Sequence, residues 1–340
     1  MKEMKIAKNE VASFLDTLIR EYKVFAPVKR DSSVVFQEIH SGSEALLDYT
    51  NSKKPPKELF SPQTERLFSY DLSQEGLGIE EPPLAEKQRI IFGIRPCDAR
   101  GLVLLDNVFS GGVYKDVYYI DKRKKTLVIA LGCNRPSSTC FCTSLGGGPF
   151  SQEGSDLLLI DIGQEYVVQV ITDKGEELIK KRNEFKEAEE QSLSSMRKVT
   201  DTAEASIKSK VEVGKVKEKL DGMFDDPFWD LVHEKCLGCA VCTYLCPTCH
   251  CFDIVDEVID QRGERIRTWD SCAFPIFTLE ASGVNPRPSA KERVRQRIMH
   301  KFKYFVDNYG VAACVGCGRC IKECPVNLDI RAVLDSILNR

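Results

Sequence analysis

The stretch Cys236-Leu-Gly-Cys239-Ala-Val-Cys242-Thr-Tyr-Leu-Cys246-Pro247 decides how this chain of 340 residues is read. Its cysteines follow C-x2-C-x2-C-x3-C, with proline next. Cys314, Cys317, Cys320 and Cys324 repeat that spacing before Pro325, each 78 residues after its counterpart. An iron–sulfur cube needs four thiolates, and the first three of such a run wrap one face. The fourth, carried off before the proline, ligates the other cluster in two-cluster proteins. The spacing therefore predicts one [4Fe–4S] cluster on Cys236, Cys239, Cys242 and Cys324, and a second on Cys314, Cys317, Cys320 and Cys246. Structural zinc normally takes two separated C-x2-C pairs instead.

The chain holds 15 cysteines. A disulfide framework would go with a secretory leader, yet Met1-Lys2-Glu3-Met4-Lys5 leads to Lys8, Asn9 and Glu10 with no apolar h-region. Disulfides are also rare in a reducing compartment, so a cytoplasmic protein is expected. With 42% hydrophobic and 29% charged residues the composition is that of a globular protein. The net charge of −3 advertises no basic field for nucleic acid. Apolar runs such as Ile90–Ile94 and Thr126–Leu131 are strand-sized, far below the roughly 20 residues of a membrane span.

Three regions separate, giving an α+β protein: a mixed α/β domain (1–172), a charged helical linker (173–220) and a mostly helical two-cluster ferredoxin-like domain (221–340). The first mixes a helical pattern at Val11, Phe14, Leu15, Leu18 and Ile19 with expected strands at Ser33–Phe36, Arg89–Gly93, Thr126–Leu131, Leu157–Ile160 and Tyr166–Ile171. Residues 174–220 carry 12 Lys/Arg and 10 Asp/Glu, the mark of a solvated helical connector. In the last region the 67 residues between the cysteine sets are too many for a compact bacterial ferredoxin. A capping box at Ser289-Ala290-Lys291-Glu292 opens a helix there, with Val294, Ile298, Phe302 and Phe305 on one face. Arg293, Arg295, Arg297, Lys301 and Lys303 read either as its solvated face or as cations that offset the charge of thiolate-ligated clusters or dock an acidic partner.

Seven cysteines remain. Cys97 follows one apolar run, and Cys133, Cys140 and Cys142 follow another, at strand ends where open α/β sheets place ligands. Four thiols match the ligand count of a third [4Fe–4S] cluster, with buried packing thiols as the alternative. Cys249, Cys251 and Cys272 are one short of a cube and stay unassigned; His250 reads as a surface residue or one that supports ligands, rather than as a ligand. Gly146-Gly147-Gly148-Pro149 lacks the G-x-G-x-x-G spacing of a dinucleotide site. Nothing resembles a nickel–iron centre or an activated nucleophile, so no catalytic residue is assigned.

Longer segments carry a resemblance: Tyr22-Lys-Val-Phe-Ala-Pro-Val28, Pro55-Pro56-Lys57, Pro96-Cys97-Asp98, Cys140-Phe141-Cys142, Cys246-Pro247-Thr248-Cys249, Trp269-Asp270-Ser271-Cys272 and Cys314-Val-Gly-Cys-Gly-Arg-Cys320. Over nearly its whole length the chain resembles the iron–sulfur beta subunits of cytosolic sulfhydrogenase-type nickel–iron hydrogenases, which are similar to the corresponding iron–sulfur component of anaerobic sulfite reductase. The resemblance implies an electron-transfer subunit between a flavoprotein subunit that binds FAD and NAD(P) and a terminal catalytic subunit. That terminal subunit would be of nickel–iron hydrogenase, sulfite reductase or heterodisulfide reductase type. It also implies a site at Cys97, Cys133, Cys140 and Cys142 without identifying the metal. The competing classes are a self-contained iron–sulfur enzyme and a zinc-stabilised interaction module.

Overall fold

A computed structural model describes residues 2–73, 78–83 and 87–340. The described strands are β1 (Lys2–Ala7), β2 (Lys23–Arg30), β3 (Ser33–Glu38), β4 (Thr64–Asp71), β5 (Gly78–Glu80), β6 (Arg89–Ile94), β7 (Thr126–Leu131), β8 (Leu157–Asp161), β9 (Glu165–Val170), β10 (Lys186–Glu187), β11 (Phe252–Ile259) and β12 (Arg262–Trp269). Eight of them make one sheet in the order β10-β1-β9-β8-β7-β6-β2-β3. Its centre, β2, β6, β7 and β8, is parallel. The flanking pairs are antiparallel.

Composition explains the parallel centre. Strands covered on both faces read as near-continuous apolar runs, and all six residues of β6 are buried. The helix Val11–Glu21 turns Val11, Phe14, Leu15 and Leu18 into this core, where the Phe14 ring meets the edges of Phe92 and Phe185. The five strands expected from sequence appear as β3, β6, β7, β8 and β9, with ends moved by at most two residues. β1 and β2 escaped notice because lysines interrupt the first and Pro27 the second.

The charged stretch behaves differently from a solvated connector. It is helical over Asp173–Lys180, Glu190–Ser206 and Val216–Asp221, but β10 within it pairs with β1. Leu178, Ile179, Phe185 and Met196 are buried in the core of the large sheet. Composition averages over faces, so it hid the apolar side of these helices.

The cysteine-rich region has its own core, built from Val216, Leu220, Trp229, Met299, Phe302, Leu334 and Ile337 among others. The helix Ala290–Met299 starts at the Ser289 capping box and buries Val294 and Ile298. A hairpin interrupts the helical pattern: β11 and β12 pair with each other and then with β4, giving a second sheet in the order β11-β12-β4-β5. At this junction Arg267 of β12, nearly inaccessible, pairs with Glu65 of β4 and with Asp116.

The two regions are also clamped by charge. Arg319, 3% exposed, holds both carboxylate oxygens of Asp98 at 2.6 and 2.7 Å, and its Nε donates to the Ser52 carbonyl at 2.9 Å. Truncating one partner of a buried pair leaves the other charge unpaired, at a cost of about 3–5 kcal/mol. Arg319→Ala is therefore expected to lower the thermal midpoint of the full chain strongly, and Arg319→Lys to restore only part of it, because an ammonium cannot grip both oxygens. Calorimetry of the three proteins checks this.

Candidate metal centres

Parallel pairing of β6 with β7 puts Cys97 and Cys133 just past the C-terminal ends of neighbouring strands. Pro96 starts the helix Pro96–Phe109, so Cys97 sits in its first turn. The loop after β7 brings back Cys140 and Cys142, whose short turn ends at Gly146 in a left-handed conformation (φ 73°). Burial raises Cys140 to about 12 and Cys142 to about 11, with the charge of Cys133 adding to each. Burial also holds Cys97 well above the usual thiol range, Asp98 and Cys317 contributing. Metal ligation requires these buried thiols to give up their protons, so binding and deprotonation are linked.

This loop is inserted into the other region. Phe141, 1% exposed, lies in the core of the cysteine-rich region. Its N–H donates to the Gly316 carbonyl at 2.9 Å. The Cys140 thiol points at the Cys317 carbonyl at 3.8 Å, and Asn51 donates to the same carbonyl at 3.1 Å. Gly316, at φ +64°, leaves no room for a side chain, since a Cβ there would lie 2.6 Å from the main chain of Cys142. The N-terminal thiols therefore abut the second cysteine loop.

The two repeat sets interleave. Cys236, Cys239, Cys242 and Cys324 line one mostly apolar cavity, with Cys320 also on its wall. Cys246 is not on that wall, although its charge also reaches Cys242. Its charge acts on Cys314, Cys317 and Cys320 alike, each raised chiefly by burial and Cys317 to about 11. Thr248 Oγ1 lies 3.1 Å from the Cys246 sulfur and also bonds the Ala313 carbonyl at 2.7 Å, next to Cys314.

Two of the cations that the sequence read either as a solvated face or as offsets to cluster charge, Arg297 and Lys301, converge here. Lys301 Nζ donates to Cys246 Sγ at 3.3 Å, and the Arg297 guanidinium lies 3.7 Å from Cys249 Sγ. A hydrogen bond from Cys249, reinforced by Lys301 and Arg297, holds Cys246 well below the usual thiol range. Lys57, 5% exposed, bonds the Cys249 carbonyl at 2.6 Å and covers the Trp269 ring at 4.3 Å. Sequence reasoning met Lys57 only within the resembling segment Pro55-Pro56-Lys57 and gave it no role. For Lys301 a signal existed: it stands seven residues after Val294 and three after Ile298, on the apolar face of the helix.

The unassigned trio gathers at the base of the hairpin. Cys251 precedes β11, Cys272 follows β12, and Asp270 N–H bonds the Cys251 carbonyl at 3.0 Å. A hydrogen bond from Cys272 lowers Cys251 to about 6. His250 packs between Phe109, His300 and Phe305 and is lowered to about 4 by burial, so it is a neutral packing group.

Among the described residues no three His, Cys, Asp or Glu side chains close on a position for a single metal ion. Such an ion would need thiolate sulfurs about 2.3 Å away, whereas a cube is ligated at four separate corners. The residues fit a cube in chemistry: a wealth of thiol donors, buried cations facing sulfur, and glycines at positive φ (Gly238, Gly316, Gly318) within the C-x2-C loops.

Residues 235–328 match the 4Fe-4S dicluster domain family. Over 339 residues, 99% of this chain and 98% of the relative, the sequence is 31% identical to sulfhydrogenase 2 subunit beta of Pyrococcus furiosus. No solved structure matches the chain.

The close approach at Gly316 makes a test of the junction. Gly316→Ala is expected to push the loops apart and uncouple the two cores. Scanning calorimetry should then resolve two transitions where the parent shows one; a single unshifted transition would contradict the interlock of the two regions.

Proposed function

The chain belongs to the sulfhydrogenase beta-subunit family over nearly its whole length, and from that premise we propose that it relays electrons through three [4Fe–4S] clusters. In coarse terms it is an iron–sulfur electron-transfer subunit, carries [4Fe–4S] clusters and works with partner subunits. The finer reading assigns the clusters to Cys236, Cys239, Cys242 and Cys324; to Cys314, Cys317, Cys320 and Cys246; and to Cys97, Cys133, Cys140 and Cys142. When bound, such clusters supply one-electron transfer at potentials that span roughly −700 to +450 mV according to their surroundings.

One observation carries this reading: the thiol groups stand in sequence. The Cys140 loop touches the Cys314–Gly318 loop, and Cys320 shares a cavity wall with Cys236, Cys239, Cys242 and Cys324. The protein's own work is to hold these groups side by side and exclude water between them, which Phe141 and the Arg319–Asp98 pair do at the first junction. At the far end Cys239 is exposed and Leu237 is 69% exposed, which suits exchange with a partner.

On the partner side, an FAD- and NAD(P)-binding flavoprotein subunit meets one end. The relative's designation as a sulfhydrogenase subunit favours, for the other end, a catalytic partner of nickel–iron hydrogenase type over sulfite reductase or heterodisulfide reductase types. The fifteen unpaired thiols suit a reducing compartment such as the cytoplasm. No described helix is long and apolar enough to cross a membrane.

Anaerobic purification of the full chain, separated from its iron-containing partners, tests the reading. About twelve irons per chain are expected, by the four-iron stoichiometry of each cluster; about eight would remove the N-terminal site. Cys246→Ser should alter the EPR signal of the cluster on Cys314, Cys317 and Cys320, and a change confined to the Cys236 set would refute the crossed ligation. Stripping the iron with a chelator is expected to lower the thermal midpoint of the full chain sharply, because ligation contributes to folding.

A further inference from the structure

Lys301 is 4% exposed, and its three N–H donors are all used. They reach Cys246 Sγ at 3.3 Å, Thr248 Oγ1 at 3.0 Å and the Ala313 carbonyl at 2.7 Å. Among the described residues no carboxylate pairs with it. The neighbouring Lys303 shows the contrast, being satisfied by Asp221 and Asp307 at the surface. A buried ammonium without an anion is costly, and of its three acceptors only the sulfur can carry negative charge. The other charged groups close by, Arg297 and Lys57, are also cations and deepen the imbalance.

The backbone aims this side chain. His300–Tyr304 is a π-helical turn, a widened form that recurs at functional sites. It continues the helix Ala290–Met299 and turns Lys301 inward beside Phe302. Ala313 N–H donates back to the Lys301 carbonyl at 2.8 Å, so main chain and side chain together hold the residue before Cys314. One lysine thus spans from Cys246, out of the first set, to the start of the second.

We propose that Lys301 is a positioning residue that raises the reduction potential of the cluster ligated by Cys246, Cys314, Cys317 and Cys320, by placing an uncompensated positive charge on the Cys246 sulfur. The inference rests on the ligand reading of Cys246. Cluster potential follows net charge and hydrogen bonds to sulfur. A fixed cation favours the more negative, reduced state, so its loss must lower the potential. Of the three groups of thiols this one then holds the electron more firmly than its ligand set alone would dictate, between the groups on either side.

The test is an EPR-monitored redox titration of the anaerobically purified full chain and of Lys301→Met and Lys301→Gln. Glutamine keeps a donor for the Ala313 carbonyl but not the charge. With iron content unchanged, both variants should show at least a tenfold fall in the reduced-to-oxidised ratio of one cluster at a fixed potential, which is 59 mV for one electron. Full iron with an unmoved ratio would overturn the proposal. A structural role alone would change iron content or thermal midpoint without that shift. Pulsed EPR of the unsubstituted protein, labelled only with 15N-lysine, decides the matter even where the variants fail to fold. A lysine nitrogen coupling on the cluster that responds to Cys246→Ser is expected, and its absence refutes the contact. If Cys246→Ser leaves that cluster untouched, the ligand reading has failed instead.

Discussion

Arg319 sits between two cysteines of the second set, and its guanidinium closes on Asp98, one residue after Cys97, in a site almost sealed from water. Burying both charges costs desolvation that their attraction offsets only when geometry is good and the remaining donors are satisfied. Here Ser52 takes two of the remaining donors through its carbonyl and hydroxyl. Such a pair contributes less net stability than specificity: any other docking of the two regions would strand a buried charge. The placement of the N-terminal thiols against the second cysteine loop depends on this one arrangement.

Charge also organises the interior of the cysteine-rich region. Lys301, Lys57 and Arg297 approach sulfur or the carbonyls beside it, and none has a carboxylate partner among the described residues. An apolar core would reject three such cations. Under the proposed ligation, thiolates on iron would make the local balance anionic and the same cations favourable. Cys246, lowered chiefly by the hydrogen bond from Cys249 with Lys301 and Arg297 adding to it, stands against Cys314, Cys317 and Cys320, which burial raises.

The hairpin β11–β12 adds a different constraint. By pairing with β4 it ties the insert between the cysteine sets to the N-terminal region, and Arg267 locks the register through Glu65 and Asp116. The base of that hairpin is where Cys251 and Cys272 meet. An insert that looked like spacer is part of the frame that holds the cysteine loops.

Features that belong to consecutive residues were legible in the chain alone. The repeated C-x2-C-x2-C-x3-C-P run named the cofactor class, because ligand spacing is written in the order of residues. The apolar runs at Ile90–Ile94 and Thr126–Leu131 announced strands, and the Ser289 box announced a helix start. Which thiols are neighbours across 177 positions, as Cys140 and Cys317 are, and which cations are buried emerged only on folding. A lysine at a helical position reads the same whether it faces water or sulfur. What separates the two is the free energy of the surroundings, supplied by residues distant in the chain, and neither composition nor spacing records it.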